Sequence, residues 1–154
     1  MVADERLARA RAAAASVPDP EIPALTIDDL GMLHDVALAG DVVEVAITPS
    51  YLGCPATVPI AQDVTAALAR AGFADARVRT VLAPAWSSDR ITPEGRRKLA
   101  ESGIAPPDRA RRQPACPLCG SGETELISAF GATPCKALHR CLACREPFEA
   151  FKCH

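Results

Sequence analysis

Two C-x2-C pairs near the C-terminus constrain this chain more than any other feature. They are Cys116-Pro117-Leu118-Cys119 and Cys141-Leu142-Ala143-Cys144, with 21 residues between them. Two such knuckles can close one tetrahedral four-sulfur site, most often around zinc. Residues 115–154 are too few for a self-sufficient apolar core, so a metal staple is physically expected there. The site exists only in the folded chain, so metal-binding energy becomes folding energy. Pro117 and Gly120 suit a tight knuckle whose backbone N–H groups point at sulfur. Zinc is the first choice of ion. A four-cysteine iron centre or an iron–sulfur cluster would use the same ligands, and spacing alone does not separate them.

The cysteine count of seven is odd, so the thiols cannot all pair within one chain. Asp4, Glu5, Arg6, Arg9 and Arg11 interrupt any apolar run at the start, which argues against a secretory leader. A membrane helix needs about 20 apolar residues, and no such run is found. A reducing cytoplasm is the expected location, where clustered cysteines signify metal or thiol chemistry. The chain has 154 residues, 49% of them hydrophobic, enough for one ordinary domain plus a small appendage. Its net charge of −2 offers no electrostatic case for nucleic acid or membrane. In the ribbon, Lys136, Arg140, Arg145 and Lys152 are balanced by Glu123, Glu125, Glu146 and Glu149. Phosphate binding needs a net basic face, so protein contact is the better expectation.

Upstream, residues 3–16 have an Ala-rich helical composition, ended by Pro18, Pro20 and Pro23. Thr26 is positioned to cap a short turn that stops at Gly31. Residues 32–38 and 42–48 read as strands joined by Ala39-Gly40-Asp41, a hairpin signal. Val58, Ala61, Val64, Ala67, Leu68 and Ala71 repeat at helical spacing, with Gly72 as the stop. Residues 77–82 form a third strand. Thr92-Pro93-Glu94 opens another helix, capped by Thr92. The order predicts an α+β fold: a small two-layer domain over 1–104, a linker over 105–114 and a four-cysteine module over 115–154. Residues 124–130 and 137–140 are expected to form a hairpin within that module.

Cys54 lies on the strand-to-helix loop, after Gly53 and before Pro55. It is a candidate N-cap, where the helix dipole favours thiolate, and a thiol on an exposed loop there can hold or pass a metal centre. The plainer reading is a buried structural cysteine. Nucleophilic catalysis would need a His base, and His34, His139 and His154 are the only histidines. His139 is expected at the surface and Cys135 in a buried apolar role. Cys135, Cys153 and His154 are also candidate extra metal ligands. The first domain lacks both a Gly-rich phosphate loop and the Glu and Glu-x-x-His helices of a di-iron oxygenase.

Asp19-Pro20-Glu21-Ile22-Pro23, Asp29-Leu30-Gly31-Met32 and Thr48-Pro49-Ser50-Tyr51-Leu52-Gly53-Cys54-Pro55 resemble the iron–sulfur cluster assembly domain family, which includes SufT-like maturation factors. Ala85-Trp86-Ser87-Ser88-Asp89, Gly103-Ile104-Ala105-Pro106-Pro107, Cys144-Arg145-Glu146-Pro147-Phe148 and Phe151-Lys152-Cys153-His154 are similar to the phenylacetate-degradation (PaaD) family. That resemblance implies an accessory component of a multicomponent 1,2-phenylacetyl-CoA epoxidase, not its catalytic subunit. The partners implied are a di-iron oxygenase and a reductase carrying flavin and a [2Fe–2S] cluster. It implies that Cys54 is a reactive thiol or transient ligand for iron or a cluster, with Asp19, Glu21 and Thr48 as further signature positions. A homodimer would double the single Cys54 ligand. A structural adaptor subunit and an iron-containing electron carrier are the alternatives.

Overall fold

The computed structural model describes residues 2–51 and 54–153. The chain divides into two compact units, residues 1–86 and 87–154.

The first unit is a three-stranded sheet with helices packed on it. Helix α1 (Ala3–Ala15) buries Ala10 and Ala14. Strands β1 (Leu33–Ala39) and β2 (Val42–Ile47) form the expected antiparallel hairpin, with Gly40 at φ 64° in the turn. That left-handed conformation is why the two-residue turn carries glycine. Helix α2 (Thr57–Arg70) crosses over and returns the chain to β3 (Arg77–Thr80), which lies parallel to β2. The strand order is β1-β2-β3. Val43, Val45 and Ile47 alternate along β2, and all three are buried, as are Ile60, Val64, Ala67 and Leu68 of α2. Each large aliphatic in this layer contributes roughly 1.5–3 kcal/mol through burial.

Residues 17–32 form an ordered loop, not a passive connection. Thr26 Oγ1 accepts from Asp29 N–H at 3.1 Å, and Asp29 Oδ2 accepts from Thr26 N–H at 2.9 Å, a reciprocal cap ended by Gly31 at φ 69°. Val17, Ile22, Leu25, Ile27, Leu30 and Met32 are buried along it. Trp86 Nε1 donates to the Leu30 carbonyl at 2.8 Å, tying the end of the unit to this loop.

The second unit is a four-stranded sheet in the order β4-β7-β6-β5. Helix α3 (Pro93–Glu101) starts as predicted, with Thr92 Oγ1 accepting from Gly95 N–H at 3.0 Å and Pro93 in the first turn. It leads to β4 (Ile104–Ala105), which runs parallel to β7 (Pro147–Phe151). Strands β5 (Thr124–Ser128) and β6 (Lys136–Cys141) pair antiparallel, giving the predicted hairpin, and β6 pairs with β7. Packing therefore groups α3 and β4 with the ribbon, whereas the sequence reading placed residues up to 104 with the first domain. Within the segment read as a linker, the Pro107 carbonyl accepts from Arg96, and the Pro114 carbonyl accepts from Thr124 Oγ1 at 2.7 Å.

Candidate metal centre and thiol site

The two knuckles are built alike. Cys116 N–H donates to the Ser121 carbonyl at 2.9 Å, and Cys141 N–H donates to the Glu146 carbonyl at 3.0 Å. Each bond spans five residues and closes the loop around its pair. The residue after each second cysteine is left-handed: Gly120 has φ 80° and Arg145 has φ 71°. The second knuckle thus bears a strain that the first avoids through glycine. Backbone N–H groups of Leu118 and Cys144 point at the sulfurs of Cys116 and Cys141, both at 3.4 Å.

The four sulfurs lie within 4.8 Å of one another. Cys116 and Cys144 Sγ are 3.8 Å apart, and Cys119 and Cys141 Sγ are 3.5 Å apart. A tetrahedral ion with metal–sulfur bonds of about 2.3 Å would set sulfurs about 3.8 Å apart, so the site fits one such ion. None of the cysteines is in a disulfide. The Cys144 backbone N–H is the main reason the Cys141 thiol is lowered to about 6. The Glu146 backbone N–H favours the Cys144 thiolate, but burial and the neighbouring thiols push that group up to about 12. Four thiolates this close repel one another, and a bound cation is what lets all four ionise together.

Among the described residues, no other group of three or more ligand side chains converges. Cys135 is buried, as expected, with its sulfur 3.0 Å from Thr133 Oγ1. Cys153 is exposed, and neither joins a metal cluster. His154 lies outside the described residues. His139 corrects the sequence reading. It is buried, because its place on β6 directs it inward, and it stacks on Phe148 with ring centroids 5.7 Å apart. Burial lowers its pKa, and its Nδ1 has no hydrogen-bond partner.

Cys54 is the only cysteine of the first unit. Its position departs from the sequence expectation in two ways. The helix begins later, with Ala56 as its capping residue and no side-chain cap, so Cys54 is not the N-cap. It is also buried, at 8% exposure, instead of standing open on its loop. Its N–H donates to the Tyr51 carbonyl at 3.3 Å, and its carbonyl accepts from Thr57 N–H at 3.2 Å. Gly53 lies outside the described residues.

The other signature positions have legible structural tasks. Buried Asp19 accepts from the N–H groups of Glu21 and Ile22 through Oδ1, both at 2.8 Å, and so holds the proline-rich turn. Glu21 is half-buried beside it. Thr48 follows β2, and its N–H donates to the Met32 carbonyl at 2.8 Å. Its Oγ1 is buried without a partner, an unsatisfied group of the kind that structure alone does not require.

An α+β domain with one loop thiol, carrying a four-cysteine ribbon, defines a class of iron–sulfur assembly proteins with a metal-stapled tail. Residues 7–82 match the family model for an iron–sulfur cluster assembly protein, and residues 102–152 match the PaaD zinc beta ribbon domain. Over 143 residues the chain is 48% identical to an Escherichia coli (strain K12) protein described as the D component of 1,2-phenylacetyl-CoA epoxidase, covering 89% of this chain and 87% of that one. A crystal structure of a domain of unknown function, DUF59, from Bacillus anthracis superposes with a TM-score of 0.57 at 26% identity, over 62% of this chain and 92% of that one. The chain belongs to the PaaD family, that of the D component of 1,2-phenylacetyl-CoA epoxidase.

Proposed function

We propose that this chain is a non-catalytic accessory protein of a phenylacetyl-CoA epoxidase system. It assists assembly or maturation of the iron or iron–sulfur centres of the oxygenase or reductase subunits. The observation that carries the reading is the pairing of an iron–sulfur assembly domain with a PaaD ribbon in one chain, at 48% identity to an epoxidase D component. Cys54 supplies the thiolate that meets the iron cargo, because it is the one cysteine of the assembly domain. A single thiolate is an incomplete iron site, so the remaining ligands come from the client or from a second copy's equivalent loop. Burial of Cys54 makes the thiol a protected ligand that is offered when its loop yields to a partner.

The ribbon holds structural zinc through Cys116, Cys119, Cys141 and Cys144. When bound, the ion supplies folding energy and no chemistry on substrate, since four protein ligands close its coordination. Exposed Leu118 and Leu142 lie in the middle of the two knuckles and give the folded ribbon an apolar docking tip. No helix is long and apolar enough to cross a membrane. The protein acts in the cytoplasm with its epoxidase partners.

A second reading is a permanent adaptor subunit, favoured by the burial of Cys54. Metal analysis of protein purified without air separates the two. The account expects zinc retained in both wild type and Cys54→Ser, with iron in wild type alone. Iron in neither, with fixed-stoichiometry co-purification of the oxygenase, would support the adaptor. Visible absorption tied to the ribbon cysteines would support an electron carrier instead.

A further inference from the structure

Helix α2 and strand β3 leave a groove of about 480 Å³ on the first unit. Its walls are Val58, Ala61, Thr65 and Ala69 of α2 and Val78 and Thr80 of β3, with no charged side chain among the lining residues. Val58 is 65% exposed, an uncovered apolar residue on the first turn of a helix. The groove borders β3, which is paired through β2 on one side only. Its outer edge presents backbone donors and acceptors ready for another strand.

The two edges of this sheet differ. Strand β1 carries an irregularity between Leu33 and Asp35, which disrupts regular pairing. Strand β3 keeps an unbroken register with β2, from Glu44 opposite Arg77 to Ile47 opposite Thr80. Val78 and Thr80 line the groove, so the period of two places Arg77 and Arg79 on the opposite sheet face. Arg77 is 3.9 Å from Glu44 with its side chain 74% exposed, and Arg79 has no ion-pair partner among the described residues. Two copies joined edge to edge would set these arginines against each other, which disfavours self-pairing. A strand with acidic residues on that face is favoured for the same reason.

We infer that the β3 edge and the α2 groove together accept an extended segment of a partner protein, with small apolar side chains alternating with acidic ones. The apolar residues enter the groove, the acidic residues meet Arg77 and Arg79, and main-chain bonds extend the sheet. Thr57 links this surface to the thiol loop, since it lines the groove and donates its N–H to the Cys54 carbonyl. Identifying that partner with the iron-receiving client rests on the function proposed above; the strand-binding surface does not.

The test uses the full, metal-loaded chain and a peptide of about six residues alternating valine and glutamate, followed by amide chemical shifts. Binding should shift Arg77–Thr80 and the groove face of α2. Replacing glutamate by lysine in the peptide changes the sign of two or three cross-strand pairs and should weaken binding about tenfold. Arg79→Glu should reverse the preference, and Val58→Arg, at an exposed site, should block the groove while leaving the fold intact. Methylating the peptide's alternate amides should abolish binding. No shifts at millimolar peptide, equal binding of the two peptides, or unchanged binding by Arg79→Glu would each overturn the inference. Cys54→Ser should bind the peptide as wild type does. Peptide binding together with normal client iron in Cys54→Ser would uphold this surface and reject the thiol's role; loss of peptide binding alone would do the reverse.

Discussion

Removing the ribbon metal should unfold the second unit's sheet and spare the first unit. The cluster around the knuckles consists of Ala105, Cys116, Cys141, Phe148 and Ala150, with Cys144 packed against it. Its one large apolar side chain, Phe148, contributes about 1.5–3 kcal/mol by burial, and each alanine under about 1 kcal/mol. A structural zinc contributes on the order of 10–16 kcal/mol to the folded form at neutral pH. The metal term is therefore several times larger than the apolar term it holds in place. Two of the five buried cluster members are themselves ligands, so losing the ion also leaves close-packed thiols with competing protonation demands. The first unit keeps its own core of Leu25, Ile27, Val43, Val45, Ile47, Ile60, Val64 and Leu68, none of which is a ligand. Hydrogen exchange after chelation, with metal loss verified by elemental analysis, measures both units at once. Amides of β6 and β7 should lose protection while those of β2 and α2 keep it. Retained protection across 136–141 and 147–151 in metal-free protein would refute the reasoning.

Further consequences follow from single residues. Gly120→Ala should destabilise the metal-loaded protein by about 1–2 kcal/mol, because φ is 80° and an added Cβ meets nothing within 4 Å, leaving conformation as the sole cost. Arg145→Gly should be neutral to stabilising by up to about 1 kcal/mol in the same denaturation assay, since it relieves a φ of 71°. Glu149→Ala should cost about 1–3 kcal/mol, because Lys136, with its side chain 6% exposed, loses its 3.4 Å partner and Ala132 N–H loses its acceptor. Glu149→Gln should recover part of that loss by restoring the acceptor.

Several of these features were legible in the sequence for clear physical reasons. The hairpin around Gly40, the Thr92 cap with Pro93 and the Gly72 stop are local devices, and local devices survive into the fold. Ligand spacing in the ribbon belongs to the same group, because each knuckle is closed by neighbours only a few residues away. What depended on packing was harder to read. Residues 105–114 look like a linker by composition, yet Ala105 pairs with Ala150, 45 positions later. The inward position of His139 follows from β6 register and its stack on Phe148, neither of which its own neighbours in sequence reveal. Burial of Cys54 and the delayed start of α2 were also invisible, because Pro55 looks like a first-turn proline although the helix begins at Thr57. The left-handed Arg145 could have been anticipated by aligning the two knuckles internally, which puts it opposite Gly120.

The central claim is that Cys54 handles iron for the epoxidase. Its most direct measurement is the iron content of oxygenase and reductase subunits matured alongside wild-type or Cys54→Ser protein. The account predicts that client iron falls with the serine variant while the variant stays folded and its ribbon keeps its metal. Wild-type iron in the clients, with that variant as the only source of this protein, would contradict it.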